Sequence, residues 1–280
     1  MKLNEPSISH SKSNEPSISH SKSNEPSVVL SLYDYTGTAL RPWAVMGYEC
    51  HAYDIQHDVK PHTEYPGKPN GGSITYHHAD LHNIRMIHDL YVRFKHRHVA
   101  FASAFPVCTD LSVAGARHFE AKRLKDPQFQ TRAAAHCRSA ALMFDMLGCA
   151  WYVENPRSVL ASLWRPPDYR YHPWQYGGYI PTDQAEHPKW PQYVEPRDAY
   201  KKLTCLWTGG GFVMPPQNPV PRMATHGDGY ATAMMKLGGS SMRTKNIRSA
   251  SPRGFSKAVA VSNHDVQQTE HIYQLSLDLA

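Results

Sequence analysis

The chain has 280 residues, 41% of them hydrophobic, with 30 Lys and Arg against 24 Asp and Glu, giving a formal net charge of +6. That length suffices for one large α/β domain or two modest ones, and no apolar run approaches the roughly 18 residues a membrane span requires. Five scattered cysteines, an odd count without zinc-type spacing, speak against a disulfide framework and for a reducing cytoplasm; no apolar signal core opens the sequence.

Residues 1–27 carry "NEPSISHSKS" twice and "NEPS" once more, with one isoleucine in each ten-residue copy. So little apolar content cannot stack as a solenoid, and the segment reads as a disordered tail outside the fold. Ordered sequence begins at Val28, where "VVLSL" predicts a strand buried on both faces. "DYTGTA" is a turn, "ALRPWAVMG" a helix closed by Gly47, and "ECHAYDI" the next strand, ending at Asp54. A β-α-β unit with a glycine turn and an acid at the second strand tip suits a nucleoside: the backbone comes close and the carboxylate takes ribose hydroxyls. NAD, FAD and S-adenosylmethionine all satisfy that description.

Farther along, "SITYHHADL" predicts a third strand ending at Asp80, and "HVAFASAFP" a fourth with Cys108 just beyond it. "QTRAAAHCRSAALMFDMLG" is a long helix stopped by Gly148, and "CAWYVENP" a fifth strand delivering Glu154, Asn155 and Pro156. Ligands of open α/β sheets lie beyond the carboxyl ends of the strands, so Asp34, Asp54, Asp80, Cys108 and Glu154 are expected on one rim. A free cysteine is most often a small core residue, and Cys149 and Cys205 read that way. Cys108, on a strand lip among acids, reads as a nucleophile. The 18 histidines, as in "HHAD" and "KHRH", show no second matching ligand pair, and no metal is expected. From Gly209 to Lys257 seven basic residues, among them Arg222, Arg243, Lys245, Arg248 and Arg253, face one acid, Asp228, as a polyanion-binding segment would.

With these residues in view, the chain resembles the DNA cytosine-5 methyltransferases, especially short phage-type members. "SLYDYTGTALR" is similar to the family's cofactor turn, "YDIQ" to its ribose-binding acid, "FPVCTDLSVAGA" to its Pro-Cys nucleophile loop and "VENP" to its Glu-Asn-Val motif. "DAYKKLTCLW" stands where the family has a basic motif, and "SPRGFSKAVAVSNH" resembles its closing helix. Departures are Tyr35 and Thr38 at positions of family glycines, Val107 for a second proline, and Lys201 and Lys202 for an arginine pair.

The resemblance implies a class I S-adenosylmethionine-dependent methyltransferase: a Rossmann-like, mostly parallel sheet with helices on both faces, plus a small irregular target-recognition lobe. Its parts would be a catalytic core at 28–208, the basic lobe at 209–248 and a returning segment at 249–280. Cys108 would add to carbon 6 of a flipped cytosine and Glu154 would hold a proton at ring nitrogen 3, assisted by Lys202 and Asn155. Asp34, Tyr35, Thr36, Gly37, Asp54, Ile55, Asp80, Leu81 and Asn263 would hold S-adenosylmethionine. Ser112, Arg117, Lys201, Arg222, Arg243, Lys245, Arg248 and Arg253 would contact double-stranded DNA, and the loop "VKPHTEYPGKPNGG" would also reach toward it. The expected enzyme is a cytoplasmic monomer. Its chemistry sets opposed requirements: Cys108 must be thiolate, helped by nearby positive charge, and Glu154 must stay protonated through burial. Three other readings fit parts of the sequence: the same fold acting on RNA or with a modified cofactor, an inactive nucleic-acid-binding module, and a nicotinamide oxidoreductase.

Overall fold

The computed structural model describes residues 25–67, 71–222, 233–238 and 241–264. The repeats at 1–24 lie outside that range, but Glu25, Pro26 and Ser27 do not behave as tail. Arg97 reaches the Glu25 carboxylate at 2.8 Å and the Pro26 carbonyl at 3.1 Å, and Ser27 bonds His98.

One eight-stranded sheet organises the chain. In sequence order the strands are β1 (Val28–Leu32), β2 (Glu49–Asp54), β3 (His62–Glu64), β4 (Ser73–His78), β5 (Val99–Ala104), β6 (Ala150–Pro156), β7 (Tyr169–Tyr171) and β8 (Thr204–Gly209). Their spatial order is β3-β4-β2-β1-β5-β6-β8-β7, with β4, β2, β1, β5 and β6 parallel and the other pairings antiparallel. Connections leave β1 toward β2 on one side, whereas the next core strand, β5, lies on the other. This reversal opens a crevice at the carboxyl ends of β1 and β5, the expected place for a ligand in a Rossmann-like sheet.

The five parallel strands are those the sequence predicts, and β1 shows why. All five of its residues are buried because helices cover both faces. Val28, Leu30 and Leu32 point into a cluster with α2 (Ile84–Phe94) and α4 (Phe129–Leu147); Val29 points into another with α1 (Arg41–Val45) and α8 (Arg253–Asn263). Each such side chain contributes about 1.5–3 kcal/mol. Helix α4 stops at Gly148, in the left-handed region at φ 69°. The α2 helix, with Ile87, Leu90 and Phe94 buried and Asn83 capping its start, carries a helical period the sequence reading passed over.

Two expectations need correction. The loop "VKPHTEYPGKPNGG" contains β3, whose Glu64 is paired with Arg41 at 2.8 Å, so this part is an edge strand of the sheet, four strands from β5, and not a free loop. The basic lobe is also drawn differently. Residues 212–220 run back over the 3-10 turn Pro173–Tyr179, where Pro215, Pro216 and Asn218 bond Tyr176, Tyr179 and Gly178. A separate small core joins Trp190, Val194 and Tyr200 to Met234, Ile247 and Ala250, so the lobe draws on residues from both sides of β8.

Asp198 anchors α8 to this region by accepting the Gly254 N–H at 2.8 Å. Its other oxygen is buried without a partner, and burial pushes its carboxyl up to about 6 against the opposing pull of Gly254 and Arg253. A raised folded-state value means that the folded chain binds this proton more tightly than the unfolded chain. Stability contributed here therefore falls as pH rises from about 4 through 6, by up to about 3 kcal/mol. Asp198→Asn keeps the acceptor, and Asn tolerates the positive φ of 52°. The variant is expected to melt above the wild type at pH 8, with the difference vanishing below pH 4, as read by thermal unfolding across pH.

Candidate active site

The five predicted strand-tip residues do lie along one edge of the sheet, and beneath that edge runs a polar row the sequence reading missed. Ser31 of β1 is in register with Ser103 of β5, which is in register with Tyr152 of β6. Ser103 donates to Ser31 at 3.0 Å, and Ser31 donates to Asp34 at 2.8 Å. The signal was available as one serine in each of two otherwise apolar strands.

Asp34 is consumed by this network. Besides Ser31 it accepts the Gly37 N–H at 2.8 Å and the Thr36 N–H at 3.1 Å, and it stays raised because burial outweighs these bonds. The Asp34 carboxylate and the Thr36 and Gly37 N–H groups thus bond one another and shape the turn. Gly37 is required here, since its φ is 64° and a Cβ would lie 2.4 Å from the Tyr76 hydroxyl.

Cys108 follows β5 on a turn in which its carbonyl accepts the N–H groups of Leu111 and Ser112. Leu111 and Val113 pair with Val159 and Arg157, which fastens this loop to the segment leaving β6. Glu154 sits in β6 and is 8% exposed. Lys202, just before the antiparallel β8, arrives at the same end because Thr204 pairs with Pro156. Its ammonium donates to the Arg248 carbonyl at 3.1 Å, which brings α7 (Met242–Ser249) over this end of the sheet. Asn246 of α7 bonds Gln56 at 2.9 Å, so the helix spans the rim from the β2 loop to Lys202.

Electrostatics tie the three groups together. Burial raises the Glu154 carboxyl, with Lys202 opposing. Burial also raises the Cys108 thiol, the Glu154 carboxylate raises it further, and Lys202 and Arg248 pull it down. The acid is therefore poised as the sequence reading required, whereas the resting thiol is shifted the other way, because desolvation outweighs the cations. Alkylation of Cys108 at pH 8.5 reads this balance, since the other four cysteines are buried. Lys202→Met is expected to slow iodoacetamide labelling several-fold and Glu154→Gln to speed it several-fold, by quench-flow and mass spectrometry. Equal rates in both variants would mean that the charges do not reach the sulfur.

Asn155 donates to the Pro106 carbonyl at 3.4 Å, while its side-chain oxygen is buried without a partner. An acceptor left in this state beside Glu154 suits an incoming donor.

For a nucleoside cofactor the fit is partial but chemically sound. Asp54 is buried at the β2 tip with Oδ1 on the Gln56 N–H, and beside it Ile55 is 54% exposed. Asp80 stands exposed at the end of β4, accepting the His82 N–H. A carboxylate for a ribose diol and an apolar flank for a base are thus present. Tyr35 closes the near side: its ring stacks on His57 at 5.8 Å, with the Lys189 ammonium 5.0 Å from the ring centre. Two residues leave the cofactor set. Leu81 is a core side chain. Asn263 clamps both backbone groups of Val213, at 2.8 and 2.9 Å, near the amino end of β6 and remote from the rim.

Among the predicted nucleic-acid contacts, Arg117, Lys201, Arg222, Arg243, Lys245 and Arg248 are exposed. Arg222 lies against Trp174 and Arg243 against Tyr193. Ser112 caps the 3-10 turn Val113–His118 through Ala114. Arg253 is a correction: its guanidinium donates to the carbonyls of Gln184 and Ala185 and holds the chain together internally. Much of the predicted basic segment, residues 223–232 and 239–240, falls outside the described residues. Among the described residues no three His, Cys, Asp or Glu side chains group to hold a metal, and no helix is long and apolar enough to cross a membrane.

No family model and no curated protein matches the sequence. Among solved structures, it is similar to a prophage-encoded E. coli protein assigned as a DNA modification methyltransferase, at 12% identity and a TM-score of 0.34. The match covers 65% of this chain and 46% of that one, so the chain spans less than half of that structure's length. A likeness so distant leaves the site to be read from the chain's own residues.

Proposed function

We propose that this protein methylates carbon 5 of cytosine in double-stranded DNA, using S-adenosylmethionine as donor. The observation that carries the reading is the meeting of Cys108, Glu154 and Lys202 on one rim, each within electrostatic reach of the others. The strand order, with its switch between β1 and β5, supports a class I methyltransferase core. The part-buried α6 (Ala233–Lys236) and α7, with residues 187–200, would form the target-recognition lobe.

Bound S-adenosylmethionine supplies an electrophilic methyl group. Asp54, Ile55 and the turn at Tyr35 would hold its nucleoside end. The Cys108 thiolate adds to carbon 6 of the ring while Glu154 gives its proton to nitrogen 3, so the charge of addition is neutralised as it forms and carbon 5 becomes electron-rich. Asn155 would accept a hydrogen bond from the exocyclic amine. Carbon 5 would take the methyl group, leaving the donor a neutral thioether; water would then accept the carbon 5 proton as the thiolate is expelled and the ring double bond restored, with nitrogen 3 returning its proton to Glu154. A base stacked in a duplex cannot meet groups on both of its faces, so the nucleotide must leave the stack, at a cost of a few kcal/mol. Lys202 stabilises the thiolate that departs and returns.

The test is nucleoside mass spectrometry of DNA from a host lacking cytosine methylation. 5-Methylcytosine on expression supports the reading, and its absence with well-folded protein overturns it. The Tyr35–His57–Lys189 stack favours a second reading, in which the chain binds nucleic acid without this cofactor. In that case S-adenosylmethionine gives no shift in melting temperature.

A further inference from the structure

Two serines lie where the sheet has no need of a hydroxyl. Ser31 of β1 and Ser103 of β5 are 0% and 2% exposed, inside strands that are otherwise apolar, so neither can touch a ligand at the rim. Their hydroxyls form one chain: Ser103 donates to Ser31, Ser31 donates to Asp34, and Tyr152 of β6 hydrogen-bonds the Ser103 side chain. Two alanines would fill these places at little cost, because replacing both partners of a buried hydrogen bond by apolar groups is close to neutral. Stability therefore does not account for the row, whereas the turn at its end does.

That turn begins with a strained residue. Tyr33 has φ 57°, a left-handed conformation that a bulky side chain adopts only where its surroundings force it. The chain leaves the β1 axis there and enters the segment Tyr35–Gly37. Three contacts keep this departure in place. The Tyr33 hydroxyl donates to the Leu81 carbonyl at 2.9 Å, and His57 bonds the Asp34 carbonyl at 3.1 Å. The Asp34 carboxylate turns back to Ser31, three residues earlier, while it gathers the N–H groups of Thr36 and Gly37. The first two contacts hold the turn from outside the strand, and the third holds it from within the sheet. Ser103 decides how well that third contact works, because a Ser31 oxygen that accepts from Ser103 has its own proton aimed at Asp34. A strained turn locked by a satisfied polar network is preorganised, and part of the lock comes from the strand that carries Cys108.

We infer that Ser31 and Ser103 are positioning residues, which hold the Tyr35–Gly37 turn from inside the sheet in the shape that receives the cofactor. The inference rests on the proposed function for the identity of the ligand, but the hold on the turn needs no ligand.

The experiment is a double-mutant cycle on the full-length protein with Ser31→Ala, Ser103→Ala and the pair. Calorimetry measures S-adenosylhomocysteine binding, and NMR follows hydrogen exchange at the Thr36 and Gly37 amides. Ser31→Ala is expected to weaken binding about tenfold and Ser103→Ala about threefold, as losing one bond to a carboxylate and one between hydroxyls would. Because Ser103 acts through Ser31, the pair should bind no more weakly than Ser31→Ala alone. In methyl transfer the loss should fall on KM for the donor, with kcat within about twofold of the wild type. Both turn amides should exchange several-fold faster in each single variant, while the amides of α4 keep their rates. Ser256→Ala, which removes a buried hydroxyl bonded to the Pro252 carbonyl, controls for the loss of a buried polar group and should change none of these readings. A lower melting temperature in Ser103→Ala, with affinity and turn exchange at wild-type values, would make the row purely structural and overturn the inference. Additive losses in the cycle would overturn it as well, since Ser103 would then not act through Ser31. A wild type that does not bind S-adenosylhomocysteine would overturn the proposed cofactor, and the exchange rates would still decide whether the row holds the turn.

Discussion

Replacing Cys108 by alanine is expected to abolish methyl transfer, by a factor on the order of 10⁵ or more, while duplex affinity stays within about threefold. The size follows from the role: without an adduct at carbon 6, carbon 5 has no nucleophilic character, and removing the nucleophile of a covalent enzyme costs comparable factors. The side chain is partly buried on a loop outside the two main cores, so a small substituent leaves no deep void and folding should be unaffected. Single-turnover transfer of a labelled methyl group to a cytosine duplex measures it. A 5-fluorocytosine duplex adds an independent reading, because a ring with no proton to lose at carbon 5 cannot expel the thiolate. It should yield a stable protein–DNA adduct with the wild type and none with Cys108→Ala. Full activity in the variant would remove the covalent mechanism altogether.

Glu154→Gln is expected to lower kcat by about 10²–10⁴-fold, the range for removing a positioned acid. The pH profile distinguishes this from damage to the fold. Glu154 is raised by burial, so its proton is present at low pH and lost as pH climbs through its folded value. Cys108 is also raised, so its thiolate grows in over the same direction of change. The wild type should therefore show a bell, with apparent values that belong to the coupled pair. Glutamine at 154 has no proton to lose, and the alkaline fall attributable to the carboxyl should vanish. Removing a carboxyl whose ionisation opposes folding should leave the melting temperature at pH 8 undiminished. A variant as active as the wild type, or one retaining the alkaline limb, would take Glu154 out of the acid's role.

The strands nearest the centre of the sheet were legible because a strand buried on both faces is written as a nearly continuous apolar run, and "VVLSL", interrupted only by Ser31, and "AWYV" are such runs. Gly47 and Gly148 marked helix ends because left-handed backbone there favours glycine. The rim was legible for the same reason, since polar residues immediately after such runs can only stand at strand tips. The antiparallel pair β7–β8 was less visible: Tyr169–Tyr171 is three residues long, residues 172–203 separate it from β8, and β8 follows two lysines that drew attention to their charge. Which polar groups stay available at the rim was not legible at all. Asp34, Asn263 and Arg253 have the right chemistry, and only three-dimensional neighbours reveal that each is committed to backbone groups or internal hydroxyls. The direction of the Cys108 shift was hidden likewise, because it depends on how deeply the loop is covered.

The bond from the Lys202 ammonium to the Arg248 carbonyl joins groups 46 positions apart. Ribosomes add roughly 5–20 residues per second. For several seconds after the lysine leaves the exit tunnel, therefore, the helix that holds it does not yet exist. The thiol, the acid and the lysine are all made before the segment that fixes the lysine's position. A product stalled before Arg248 would carry the Lys202 ammonium without the helix that orients it toward the thiol and the acid.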